Sequence, residues 1–139
     1  ESNDPLPAGA ALLSPWTDLT VSGASVHSRA AVDPMIRADA IEETAAHYLG
    51  GQPAALPGIS PLFGDLSGLP PLLIQVGDAE VLLDDATRLH DAALNARVHS
   101  TLHVFDEAFH VFQMFPELPE AEQALTEMAA FFARLTDAS

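Results

Sequence analysis

The chain has 139 residues, 48% of them hydrophobic and 6% aromatic, which suits one domain with a substantial core and argues against disorder. Twenty acidic residues stand against five arginines and no lysine, and the formal net charge of −15 repels phosphate backbones and anionic lipid headgroups, so neither nucleic acid nor a membrane surface is an expected partner. The absence of cysteine excludes disulfides and thiolate metal sites.

No apolar run approaches the roughly 20 residues that a membrane span requires, so a soluble, cytoplasmic chain is expected. The sequence opens on Glu1-Ser2-Asn3-Asp4 without an initiator Met, so any targeting signal ahead of Glu1 would lie outside it.

Residues 1 to 9 read as a polar, proline-bearing loop leading to a short buried strand, Ala10 to Ser14, stopped by Pro15. Trp16 to Asp33 shows no sustained period and reads as a long loop across the top of a sheet, suited to a lid or pocket wall. A helix is predicted from Ala38 to Leu49, with Ile41, Ala45, Tyr48 and Leu49 on one face and Gly50-Gly51 as its stop.

After a glycine- and proline-rich connection, Leu72 to Val76 is the clearest strand, apolar except for Gln75 as expected where both faces are covered. Gly77 ends it. A helix from Leu83 to Ala96, a strand from Thr101 to Phe105 and a helix from Glu117 to Leu135 complete a β, α, β, α, β, α order, which predicts an α/β layer fold with a parallel sheet.

Glu80 and His110 each follow a predicted strand, about thirty residues apart with a helix between them. Loops leaving adjacent parallel strands lie side by side, and in open α/β sheets the reacting groups collect at those strand ends. A carboxylate holding imidazole in one tautomer, with the imidazole activating a hydroxyl, is two thirds of a hydrolase triad. Asp78 and Asp84 compete with Glu80 as the acid. The third member is missing, because no Gly-x-Ser-x-Gly occurs in the sequence. His99 and His103, four apart on a strand and thus about 13 Å apart, make a poor metal pair without a third ligand nearby.

The run from Leu69 to Ala86, which contains Gly77-Asp78-Ala79-Glu80-Val81-Leu82-Leu83-Asp84, resembles the acid-bearing segment of the bacterial hormone-sensitive-lipase-like esterases, an α/β-hydrolase family. Leu12 to Leu19, Asp33-Pro34-Met35, Tyr48 to Gly51 and the histidine segment ending in Val111-Phe112 are similar to that family in the same order. Gly77, Glu80, Leu82 and Asp84 fall on its Gly-x-x-Asp-x-Leu-x-Asp pattern, with Glu in place of Asp at position 80. A second departure is Asp106 to Phe109, where family members usually carry a glycine-containing turn.

The resemblance implies the C-terminal part of an α/β-hydrolase fold, parallel strands with flanking helices, acting as a serine carboxylesterase on small uncharged esters. Glu80 and His110 are then the catalytic acid and base, and Asp84 supports them from the first helical turn. No metal or organic cofactor is implied. Trp16, Met35, Leu82, Val111 and Phe112 would line an acyl or alcohol pocket, although core packing explains these residues equally well.

The partners implied are an ester substrate and the N-terminal half of the same enzyme, without which the chain is expected to hydrolyse nothing; a homodimer through Thr101 to Phe105 is also implied. A different class of function competes with the enzyme: a non-catalytic, acidic α/β interaction module whose truncated sheet offers the edge at Ala10 to Ser14 to another chain.

Overall fold

A computed structural model describes residues 5–137; the first four residues of the expected N-terminal loop lie outside the described range. The elements follow the order β1 (Ala10–Leu13), α1 (Ser25–Ser28), α2 (Ile41–Leu49), β2 (Leu72–Gly77), α3 (Leu83–Asn95), β3 (Ser100–Phe105) and α4 (Pro119–Asp137). The three strands form one parallel sheet in the order β1-β2-β3, with Leu12 opposite Ile74 and Ile74 opposite Leu102. This is the expected α/β architecture. The segment read as a continuous irregular loop differs only in holding the single helical turn α1.

All six β2 residues are buried, because the two faces of the strand meet different helices. Leu72, Ile74 and Val76 pack with Ala86, Leu89 and Ala93, which recur at helical spacing along α3. On the other face Gln75 Nε2 donates to the carbonyl of Ala124 in α4 at 2.9 Å, so the one polar residue in the strand has a backbone partner. Ile74 and Val76 are fully buried, and each contributes roughly 1.5 to 3 kcal/mol in removing its side chain from water.

Gly50 ends α2 in the left-handed conformation, φ 52°, with its amide on the Ala46 carbonyl, as the Gly-Gly reading predicts. Among the described residues β1 pairs with β2 alone. Beside it runs an apolar groove of about 610 Å³ lined by Leu12, Trp16, Pro61, Leu66, Leu69 and Leu89. No helix among the described residues is long and apolar enough to cross a membrane.

Candidate active site

The carboxyl ends of all three strands meet at one place, each sending one polar residue into it. Ser14 follows β1, Glu80 lies in the loop after β2, and His110 lies in the loop after β3. The two outgoing loops are stitched together by main-chain bonds. The Asp78 amide donates to the Phe105 carbonyl and the Ala79 amide to the Ala108 carbonyl, both at 3.0 Å, while the Glu107 amide donates to Asp78 Oδ1 at 2.7 Å.

Gly77 makes this approach possible. A Cβ at that position would sit 2.0 Å from the Ala108 oxygen, well inside contact distance. Two residues of the histidine loop, Glu107 and Val111, have φ of 56° and 49°, a conformation that side chains other than glycine rarely adopt. Such outliers persist only where surrounding contacts hold them, and here they turn the chain so that His110 faces the acid.

Glu80 is fully buried and its carboxylate is surrounded by donors. Oε1 accepts from the Gly77 amide at 2.7 Å and from Ser14 Oγ at 2.8 Å, and Oε2 lies 2.9 Å from His110 Nδ1. A buried charge is tolerable only when paired and hydrogen-bonded, and these partners supply that. The His110 ring keeps 22% exposure. With Nδ1 committed to the carboxylate, Nε2 is the nitrogen left to exchange a proton with a reacting group.

The long segment after β1 braces this corner. Asp33 Oδ1 accepts the Met35 and Ile36 amides, while Oδ2 accepts the amide of Val81, the residue after Glu80, at 2.9 Å. The Val81 carbonyl accepts the Ser25 hydroxyl at 2.6 Å. Asp85 Oδ2 accepts the amides of Thr17 at 2.7 Å and Asp18 at 2.8 Å. Burial pushes the Asp85 carboxyl up to about 6, assisted by nearby Asp18 and opposed by the two amides and Arg88. Burial also works against charge on Asp18, but hydrogen bonds from Ser22, Thr20 and Arg88 outweigh it and hold that carboxyl at about 2.

The structure thus brings Glu80 and His110 into bonding contact and distributes the other expected site residues differently. Asp84 accepts the Ser25 amide at 3.0 Å and reaches the acid only through Ser25 and Val81. Trp16 is half-buried, its indole donating to the Asp18 carbonyl, and Met35 is 47% exposed. Val111 is half-buried directly behind His110.

Of the two readings open for Leu82 and Phe112, pocket lining and core packing, the packing matches the second. Leu82 is buried with Val26, Ile41 and Val81, and Phe112 with Phe105, Ala108, Ala121 and Ala124. With 1% and 0% of their surfaces exposed, they have no face to offer a substrate and support the loops from beneath. Ser14 and Asp33, which the sequence reading does not single out as site residues, also bond to this corner, Ser14 standing where β1 meets Pro15.

His103 pairs with Glu127 at 2.9 Å and stacks on Phe105, with ring centroids 3.8 Å apart. No group of three or more candidate metal ligands occurs among the described residues.

A family model described as the alpha/beta hydrolase fold matches residues 1–114. The chain is 43% identical over 137 residues to an acetyl-hydrolase of Streptomyces hygroscopicus, covering 98% of this chain and 46% of that protein. It is 40% identical over 133 residues to an esterase of Acinetobacter venetianus, covering 94% and 44% respectively. Among solved structures, an esterase from the bacterial hormone-sensitive lipase family superposes with a TM-score of 0.93 at 44% identity, over 96% of this chain and 45% of that one. The chain spans less than half the length of these relatives. On the match over most of its length, and on the parallel sheet it builds, the chain belongs to the alpha/beta hydrolase fold family.

Proposed function

We propose that this chain is the C-terminal segment of a single α/β-hydrolase catalytic domain and supplies the acid and the histidine of a serine carboxylesterase acting on small uncharged esters. The observation that carries this reading is the 2.9 Å contact between His110 Nδ1 and a fully buried Glu80 carboxylate, at the carboxyl ends of adjacent parallel strands. The similarity to an esterase and an acetyl-hydrolase supports the same chemistry. The nucleophile comes from a part of the fold outside residues 1–139. The edge of β1 that no strand pairs among the described residues, and the apolar groove beside it, favour the seating of such a part.

In the proposed reaction a serine hydroxyl attacks the ester carbonyl carbon as His110 Nε2 takes its proton. The tetrahedral intermediate collapses, the C–O bond to the alcohol breaks, and the imidazolium returns the proton to the departing oxygen. Water then attacks the acyl-enzyme in the same way, releasing the acid and restoring the serine. Glu80 keeps Nδ1–H oriented and stabilises the imidazolium at both stages. Without nucleophile and oxyanion donors, the chain by itself is expected to be inactive.

The test is to express residues 1–139 with the upstream part of the gene and treat the product with a fluorophosphonate. Stoichiometric labelling and hydrolysis of p-nitrophenyl acetate are expected; an unlabelled, inactive product defeats the esterase reading and favours an interaction module. A homodimer through Thr101 to Phe105 and a cytoplasmic setting belong to the same proposal. Strand β3 lies at a sheet edge, as such a dimer requires. Light scattering of the complete protein and fractionation of the source cells test these two points.

A further inference from the structure

The hydroxyl of Ser14 links the acid of the dyad to the backbone amide next to its histidine. It is 97% buried, donates to Glu80 Oε1 at 2.8 Å, and accepts the amide of Val111, the residue next to His110, at 3.0 Å. The direction of these bonds is fixed. An amide only donates, so Ser14 Oγ accepts from Val111 and gives its single proton to the carboxylate, which only accepts. The Gly77 amide also lies on Oε1, so the carboxylate is turned with Oε2 toward His110.

Ser14 is itself held in place. Its own amide donates to the Gln75 carbonyl at 2.8 Å, continuing the β1–β2 ladder, and its φ is 46°. Glycine adopts that conformation more readily than serine, so the backbone alone favours glycine here. The hydroxyl is what a glycine would lack.

We propose that Ser14 is a positioning residue for the reaction, tying the orientation of the Glu80 carboxylate and the backbone behind His110 to the end of β1 through one oxygen atom. This rests on the esterase reading for its catalytic consequence but not for its geometry. The hydroxyl acts through the dyad and leaves substrate binding to other groups. Its loss therefore lowers kcat and spares KM.

Two variants test the inference. Ser14→Gly removes the hydroxyl while accommodating φ, and Ser14→Ala removes it without that relief. In the complete protein, with rates normalised to folded protein by circular dichroism, both are expected to lower kcat on p-nitrophenyl acetate at least tenfold, with KM within twofold. An unchanged kcat, or a rise in KM alone, overturns the proposal.

A second measurement needs no activity and uses the complete protein. In either variant the Val111 amide is expected to exchange with deuterium at least tenfold faster while α3 amides stay protected. Nitrogen-15 shifts are expected to show His110 losing its single Nδ1–H tautomer. If exchange and tautomer are both unchanged, Ser14 does not set the dyad. An inactive wild-type complete protein removes the esterase reading, and these two observations still decide the geometry.

Discussion

Among the described residues two histidine–glutamate pairs have the same Nδ1 to Oε2 distance, 2.9 Å, and they differ in everything around that contact. His110 meets a carboxylate with no exposed surface, fixed by a main-chain amide and a buried hydroxyl, on loops that leave two strands in parallel. His103 and Glu127 are each about one third exposed, on a sheet face and a helix, and the carboxylate is shared with Gln123 and Gln75. A pair distance therefore does not identify a catalytic dyad. What separates the two is the burial of the acid and of the groups that fix it, together with an imidazole nitrogen at the end of the sheet where loops gather.

The largest test of this contrast is a pair of substitutions in the complete protein. His110→Ala is expected to lower kcat/KM at least 10³-fold, the order seen when a triad base is removed, and His103→Ala to leave it within about threefold. Equal losses would erase the distinction drawn here. Next in size is Gly77→Ala. The added Cβ forces the Ala108 carbonyl away from its 2.0 Å position, and a shift of about 1 Å in the histidine loop should cost on the order of 10²-fold in kcat. The same change should leave the His103 ring signals in place, since that pair does not use the loop.

Much of this arrangement was legible in the sequence. Apolar runs at Leu72 and Thr101, each followed by a loop with an acid or a histidine, predicted adjacent parallel strands and put an acid within reach of His110, while the family pattern pointed to Glu80 over Asp78 and Asp84. Gly50 announced the end of α2. The supporting groups were not legible, because Ser14 and Asp33 act through bonds to residues 97 and 48 positions away, and no local period or propensity encodes such a contact. Leu82 and Phe112 stayed open between pocket and core for a related reason. An apolar residue beside a catalytic position reads the same whether it faces a substrate or the core, and only three-dimensional packing decides.

The braces around the dyad carry their own pH signature. Asp85 is raised to about 6 in the folded protein, above its ordinary value near 4, so the folded state holds this proton more tightly than the unfolded state. Its contribution to stability is full below about pH 4 and is lost as pH rises through 6, by about 3 kcal/mol. Asp18, held at about 2, titrates below that window. Urea midpoints of the wild-type chain are therefore expected to fall between pH 4 and 6 more steeply than those of Asp85→Asn, which retains an oxygen for the Thr17 and Asp18 amides. Parallel curves would remove Asp85 from the account.

The smallest effect belongs to the second pair. Burial works against the charge on Glu127, but hydrogen bonds from Gln123 and His103 outweigh it and hold the carboxyl below its ordinary range. The sign is opposite to that of Asp85: the contribution is present above about pH 4 and lost as pH falls through the lowered folded value. Because both partners reach solvent, the stabilisation should stay below about 1 kcal/mol. Glu127→Gln is thus expected to lower the neutral-pH urea midpoint slightly, with the deficit shrinking below pH 4 and with salt, as it does for screened surface pairs. A loss of several kcal/mol would make His103–Glu127 a structural anchor of α4 on the sheet, and the contrast between the two pairs would then lie in chemistry alone and not in how firmly each is held.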